Sequence, residues 1–536
     1  MGLVTDLIQK QSKLESDRAN FEHHWQEVAE LMLTRHDTFF KGEFAKGEKR
    51  GRKKYDDTAT LALDHGAAAI ESVVSPRAQK WHGIGLPEHL EGDQEAEEWA
   101  DRLTNFLFKK RYSAPSNFAS QLHECYLSLL AFGNCVLSVE DMLNGNIRYK
   151  SNHIKEHFFT ENRHGVIDVD YRKYKQTARQ IVGKFGDKTP EKIMKQFEKN
   201  PAHEFELLHV VMPDEDNETA FSFVSYHVFP DTQDIIHIGG YNSFPYIISR
   251  WTTTAGETYG RGVGMSILQE IKMLNQMRKT DARARNLAVD PPILAADQHT
   301  VRKLSMKPNH INYGTLDANG NPLVRPYISG IDIPASKDAI NESREFINRA
   351  FFLNLFQILV DAPAMTATEV LQRAQEKGQL LTPTAGRQMS ELLEPIVMRE
   401  IGIFDEGYGI FEDGQYLELP PSLKEAGGQF EVEYTNPLSK MQKSEEALGV
   451  ERTIQAMLPL AQIDPSILQK IDWNEYSDIM RKANGAPASI FKTDEELQAE
   501  QEAAEQQRAM QMAMEAVPTA ASAVKDLAQA EALGSA

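Results

Sequence analysis

A helix-rich α+β fold is what this sequence predicts, and three observations carry the expectation. Long stretches repeat apolar residues at helical spacing; residues 140–255 break into short period-two or apolar runs; two long half-polar helices bracket a small insert. The 536 residues leave room for about three or four structural units, and 41% hydrophobic with 25% charged residues is a globular composition.

Residues 3–33 set Leu7, Ile8, Leu14, Phe21, Trp25, Val28, Ala29 and Met32 at helical spacing. The basic stretch 46–54 has glycines and nothing apolar, so it reads as a loop, turned either to solvent or to a phosphate or partner. A second amphipathic helix, 57–74, stops at Ser75-Pro76, and 80–86 is strand-like. Helices at 94–112 and 117–130 lead to a strand at 136–139. Further strands are expected at 147–150, 166–171, 206–211, 220–226 and 235–238, with helices at 177–184 and 190–200 between them.

Gly260-Arg-Gly-Val-Gly-Met-Ser266 opens a helix running to about Val289, ~39 Å at 1.5 Å per residue. Its first half carries Ile267, Leu268, Ile271, Leu274 and Met277; its second half, Arg278 to Asn286, offers almost nothing to bury. Pro291-Pro292 ends it. Residues 291–334 form an insert in which 311–316 and 322–328 flank a turn at 317–321, a hairpin signal. The second long helix, about 336–356, reverses the order: Asp338, Asn341, Glu342, Arg344 and Glu345 precede Phe346, Ile347, Phe351 and Leu355. Antiparallel packing therefore pairs apolar end with apolar end and leaves a stalk with polar ends beside the insert. Such a stalk suits copies packing side by side in a ring.

Val360 to Met365 reads as a loop, with Thr366 or Thr368 able to cap the helix that follows. That helix breaks at Leu381-Thr-Pro383 and resumes from 385 to 401, a kink. Residues 418–434 are strand-like, helix returns from Pro437 between prolines, and from Asp494 the chain is acidic low-complexity sequence.

The chemistry-bearing motifs are weak. Gly260, Gly262 and Gly264 lack the Lys-Ser/Thr of a phosphate loop and read as a flexible start to the long helix. His153 and His157 lack the adjacent glutamate of a zinc protease. Cys125 and Cys135 have neither metal nor redox spacing and read as core. Neither a nucleophile elbow nor a kinase signature is present, and no cofactor or metal is expected. With 58 basic against 78 acidic residues, a net −20, the chain is not one that coats nucleic acid by neutralising phosphates. No run of ~20 apolar residues implies a membrane helix, and the polar start lacks a signal-peptide core, so the expectation is a soluble, cytoplasmic chain. Arg278, Lys279, Arg283 and Arg285 cluster on the polar half of the first stalk helix. They serve either solubility and pairing with Asp338, Glu342 and Glu345, or contact with phosphates or a neighbouring subunit.

Several segments, in this order, resemble the portal, or head-to-tail connector, proteins of short-tailed, podovirus-type bacteriophages. They are Ala67 to Pro76 followed by Lys80-Trp81, Leu129 to Leu137, Arg250-Trp251 followed by Gly256 to Gly262 and the long helix, and Met365 to Val370. The resemblance implies a ring, usually of about twelve subunits, at one capsid vertex, with double-stranded DNA passing through its channel. It implies an α/β wing (1–259 and 359–435), two stem helices (260–290 and 335–358), a small α/β clip (291–334), a helical crown (436–493) and a tail (494–536). Val360, Asp361, Ala362, Pro363, Ala364, Met365 and Thr366 correspond to the tunnel loop at the channel constriction. Arg302, Lys303, Asp317, Asn319 and Arg325 are the clip residues expected to meet terminase and then the tail adaptor protein. Major capsid and scaffold proteins are the other implied partners, the virion the location, and a separate ATPase the source of pumping energy. Two other readings stay open: a virion structural or scaffold protein without a channel, and a Mg²⁺-dependent nucleic-acid enzyme.

Overall fold

The computed structural model describes residues 2–36, 54–90, 93–142, 145–215, 220–295, 307–327, 333–353, 385–407, 415–425, 430–436 and 449–457, with isolated positions or pairs between and after them. The tunnel-loop residues 360–366, Arg302, Lys303, the tail 494–536, most of 436–493 and most of the basic stretch 46–54 lie outside them.

The N-terminal elements are α1 (Leu3–Leu31), α2 (Thr58–Val74), β1 (His82–Gly85), α3 (Gln94–Arg111) and α4 (Phe118–Phe132). Strands β2 (Asn134–Asp141), β3 (Ile147–Asn152), β4 (His157–Glu161) and β5 (Ile167–Thr177) lead to α5 (Ala178–Phe185) and α6 (Glu191–Lys199). Next come β6 (Glu204–Pro213), β7 (Phe223–Phe229), β8 (Asp234–Tyr241), β9 (Tyr246–Arg250), the single turn α7 (Val263–Ser266) and α8 (Leu268–Val289). The insert holds β10 (Ile293–Ala295) and β11 (Val324–Pro326), and α9 (Ile333–Ala350) leaves it. A π-helical turn, Met389–Leu393, leads into α10 (Glu394–Gly407), followed by β12 (Phe411–Glu412), β13 (Gln415–Tyr416), α11 (Pro421–Glu425) and β14 (Glu431–Tyr434). This is a mixed α+β chain of two compact units, one formed by residues 1–81, 106–410 and 436–441, the other by 82–105, 411–435 and 442–536.

In the first unit β4-β5-β6-β7-β8 form an antiparallel meander. One face packs Phe158, Tyr171, Leu208, Val210 and Val228 against Leu7, Val4, Ile8 and Leu14 of α1. The other face sets Tyr174, Phe205, Leu207 and Phe229 against Ala178, Ile181, Phe185 and Ile193 of α5 and α6. The alternation of strand side chains thus buries both faces. Helix α5 starts with a full capping box, Thr177 to Gln180. A second sheet, β3-β2-β9, packs under α4, and the turn at Met389 docks on it: Ser249 Oγ donates to Gln388 Oε1 at 2.9 Å, and Gln388 Nε2 donates to the Arg250 carbonyl at 2.9 Å. Cys125 and Cys135 are buried free thiols of this core. In the second unit β1 pairs antiparallel with β14, and Trp99 packs 6.4 Å from Phe430 between ring centroids.

The glycines before α8 act by close approach rather than flexibility. Gly133 ends α4 at φ +80°, and an added Cβ there would lie 2.5 Å from the Gly260 oxygen, the Arg261 carbon and the Gly262 nitrogen. Asn134 closes the junction, accepting from Gly260 N at 2.8 Å and donating to the Gly260 carbonyl at 3.1 Å. The helix consequently begins at Val263, not Gly260. Gly133→Ala is expected to cost about 2–3 kcal/mol. Gly145→Ala, at φ +71° with nothing within 4 Å, should cost only about 1 kcal/mol. Urea melts of the two variants check the contrast.

Other expectations are corrected. Strands β4 and β9 were not foreseen. Among the described residues of 418–434 only Glu431–Tyr434 is strand, because Pro421 at a first helical position starts α11. The expected 311–316/322–328 hairpin reduces to one Leu316–Pro322 bridge, and β11 instead pairs with β10. The Asp317 carboxylate takes the turn's own amides, so the turn closes on itself. Helix α9 ends at Ala350, with Phe352 at φ +62°.

Candidate functional site: a helical hairpin and its insert

Helices α8 and α9 pack together, and their buried positions follow one stripe each: Leu268, Ile271, Leu274, Asp281 and Ala284 on α8; Ile340, Ser343 and Ile347 on α9. The polar half of α8 is therefore not wholly solvated, as its sequence suggested: it carries a buried carboxylate. Arg278 Nη1 donates to Asp281 Oδ2 at 3.2 Å and Arg285 Nε donates to it at 2.9 Å. Asp56, ahead of α2, holds the two helices together. It pairs with Arg278 Nε of α8 at 3.3 Å and accepts from Arg344 Nη2 of α9 at 2.6 Å. Burial alone would raise the Asp56 pKa; hydrogen bonds from Thr58 and Arg344 outweigh it and hold it below the ordinary value. The same loop is fixed by Asn275, whose Oδ1 accepts from Tyr55 N at 2.7 Å, and by Lys279, whose ammonium lies 5.4 Å from the Tyr55 ring centroid.

The expected basic cluster is thus divided. Arg278 and Arg285 are bound to Asp56 and Asp281, Lys279 lies over Tyr55, and Arg283 is exposed with no ion pair among the described residues. The expected partners Asp338, Glu342 and Glu345 stay exposed on α9. Sequence reasoning missed Asp56 and the inward role of Arg344. The Asp281 pairs were readable, since Arg278 and Arg285 stand three and four residues from it.

The described part of the insert buries no side chain. Among the described residues none between Ala284 and Ile340 is buried. Ile311, Tyr313 and Leu316 are 60–80% exposed, and Leu294 and Tyr327 are open as well. Of the predicted contact residues, Asp317 shapes the turn, accepting from Asn319 N at 2.9 Å and Asn321 N at 2.7 Å. Those Asn321 and Asn319 hydrogen bonds lower its pKa. Arg325 is exposed on β11 opposite Leu294.

Elsewhere the candidates separate. His153 reaches the His36 carbonyl at 3.3 Å while His157 bonds to Asp170 at 2.8 Å. Among the described residues no cluster of His, Cys, Asp and Glu could hold a metal, and no helix is long and apolar enough to cross a membrane. A cavity of 620 Å³ opens beside β9 and α10, lined by Phe223, Phe244, Ile247 and Met398. Its Arg250 and Glu391 are paired to each other at 2.9 Å, and its Arg399 Nη1 donates to Ser243 Oγ at 2.8 Å.

The described residues of the hairpin's tip are open and in part apolar, the character of a surface for contact with other molecules. The comparisons with known proteins make the class specific. The model of the bacteriophage head to tail connecting protein family matches residues 4–491, and the chain belongs to that family of phage portal proteins. It is 25% identical over 522 residues to the probable portal protein of Bordetella phage BPP-1, covering 95% of this chain and 92% of that one. It is 23% identical over 527 residues to the portal protein of Salmonella phage epsilon15, with the same two coverages.

Proposed function

We propose that this chain is the subunit of a portal ring at one capsid vertex, about twelve copies around a channel for double-stranded DNA. The observation that carries the reading is the family match across residues 4–491. The helical hairpin supports it, since the described residues of its tip expose Leu294, Ile311, Tyr313, Leu316 and Tyr327, apolar surface that other chains around it would cover. On this reading α8 and α9 are the stem, and 291–334 is the clip that meets terminase and then the tail adaptor. Arg302, Lys303, Asn319 and Arg325 are its contact residues, with Asp317 holding the turn that presents Asn319. The α/β body is the wing, 436–493 the crown, and Val360 to Thr366 the tunnel loop. Capsid and scaffold proteins surround the ring in the virion. The role is structural, with packaging energy supplied by a separate motor. A net charge of −20 suits a channel that must let phosphates slide rather than hold them.

Electron microscopy and light scattering of the purified chain should give closed rings with a central hole and a mass near twelve chains. A stable monomer, or an open filament under all conditions, would overturn the reading. Deleting Val360–Thr366 should leave the rings intact and lower the yield of DNA-filled particles about tenfold or more when the variant replaces the native chain in infection.

A further inference from the structure

Each stem helix carries a second seam of exposed side chains. On α8 it is Met273, Gln276, Thr280, Arg283 and Leu287, all exposed, Met273 by 47% and Leu287 by 39%. On α9 it is Ala339, Glu342, Phe346 and Arg349, also all exposed, Phe346 by 49%. Both seams step by three and four residues, the spacing of helix-to-helix packing. Both hold large apolar side chains beside charges of opposite sign. The α8 seam offers Arg283, left over once Asp56 and Asp281 have taken Arg278 and Arg285. The α9 seam offers Glu342, flanked by exposed Asp338 and Glu345, with Lys337 and Arg349 at its ends.

The Asp56 bridge fixes the register. Arg278 and Arg344 meet on one carboxylate, which places their guanidiniums at one height and sets the register to within about one helical turn. Each residue up α8 is then matched by one residue back along antiparallel α9. Arg283 is level with Ala339, Thr280 with Glu342, Gln276 with Phe346, and Met273 with Arg349. Copies related by rotation about an axis along the stem meet at equal heights, through two different faces.

Resting on the ring reading above, we propose that the open seam of α8 packs against the open seam of α9 in the next copy. Arg283 enters between Asp338 and Glu342, and Phe346 covers Gln276 and Met273. The occupant is a second copy of this chain because the two faces complement each other in charge, spacing and height.

The test uses full-length protein at about 0.15 M salt. Arg283→Glu and Asp338→Arg should each lower the ring fraction about tenfold by light scattering and microscopy. The double reversal should restore it to within twofold. Thermal melts at a dilution where parent and variants are all monomeric should leave both single variants as stable as the parent, since these side chains are exposed. A Thr280→Cys/Glu342→Cys variant, oxidised, should give a ladder of covalent oligomers on a denaturing gel. Rings of the single reversals as abundant as the parent's, no rescue by the double, or a monomer band alone would overturn the pairing while leaving the ring reading standing. If the parent itself forms no rings, the ring reading fails and this inference fails with it.

Discussion

Glu400→Ala is expected to destabilise the first unit by about 3–5 kcal/mol, a large part of the ~5–15 kcal/mol that holds a typical domain. Glu400 and Arg111 are fully buried, and the carboxylate accepts from Arg111 Nε at 2.8 Å and Nη2 at 2.6 Å. The Tyr149 hydroxyl donates to the same carboxylate. The guanidinium lies 4.6 Å from the Trp81 ring and 4.8 Å from that of Phe108. Burial would lower the Arg111 pKa, but the Glu400 charge and hydrogen bonds outweigh it, so the guanidinium stays charged. Removing the acid strands a cation among aromatic rings, where water cannot solvate it. Glu400→Gln keeps the shape and one acceptor and should fall between. Arg111→Met/Glu400→Leu, which removes both charges, should recover much of the loss. Urea midpoints at a fixed oligomeric state decide the matter, because assembly itself adds apparent stability. A Glu400→Ala midpoint equal to the parent's would show that the pair contributes nothing net.

That network marks a limit of sequence reading. Arg111 and Glu400 are 289 residues apart, and a chain with 78 acids gives no sign of which one a given arginine meets. The same holds for Asp56, 288 residues from Arg344. What the sequence did disclose was local and periodic. Helices α1, α2, α3 and α4, the two long helices α8 and α9 and most strands of the meander announce themselves through repeated apolar spacing. The missed β9 is five fully buried residues, Tyr246–Arg250, too short to show alternation. The missed β4 is equally short, His157–Glu161. The turn at Asp317 was legible because its chemistry is local, while the choice of β10 as partner for β11 was not, since pairing depends on where the helices bring their ends. The basic cluster was seen as a unit and turned out to be two bound arginines, a lysine over a tyrosine and one exposed arginine.

Acidification supplies the other large effect. Across the five-stranded meander His157, Arg172, His209, His227 and His237 stand opposite one another, one per strand. The rings of His209 and His227 stack 4.0 Å apart. Both His209 nitrogens are occupied, Nδ1 with the Tyr246 hydroxyl at 2.6 Å and Nε2 with the Ser225 hydroxyl at 2.8 Å. His227 Nδ1 is buried without a hydrogen-bond partner among the described residues, under the Phe185 ring of α5. The charges facing the row are cationic: Lys184 from α5, Lys188 beyond it and Arg172 from β5. Asp170 and Glu156 are held by His157 and Arg172, and Glu140 of β2 interacts with Lys184.

Burial, then these cations, push the His227 pKa down to about 3 and that of His209 well below its ordinary value. His153, buried beside His36, is likewise lowered to about 3. The unfolded chain takes up these protons near pH 6.5, before the folded chain does. The stability held by the neutral rings is therefore complete above about pH 6.5 and is lost progressively as pH falls toward 3. At pH 5 the loss is about 2 kcal/mol each for His227 and His153, with His209 adding in the same direction. His123 works against them: its hydrogen bond to Glu71 raises its pKa, but it is half-exposed and the gain is small. Urea midpoints at pH 7.5 and pH 5.0 should differ accordingly, and His227→Gln, which cannot take up the proton, should shrink the difference by about 2 kcal/mol. An unchanged difference in that variant would mean that the stacked row titrates freely and that the acid sensitivity lies elsewhere.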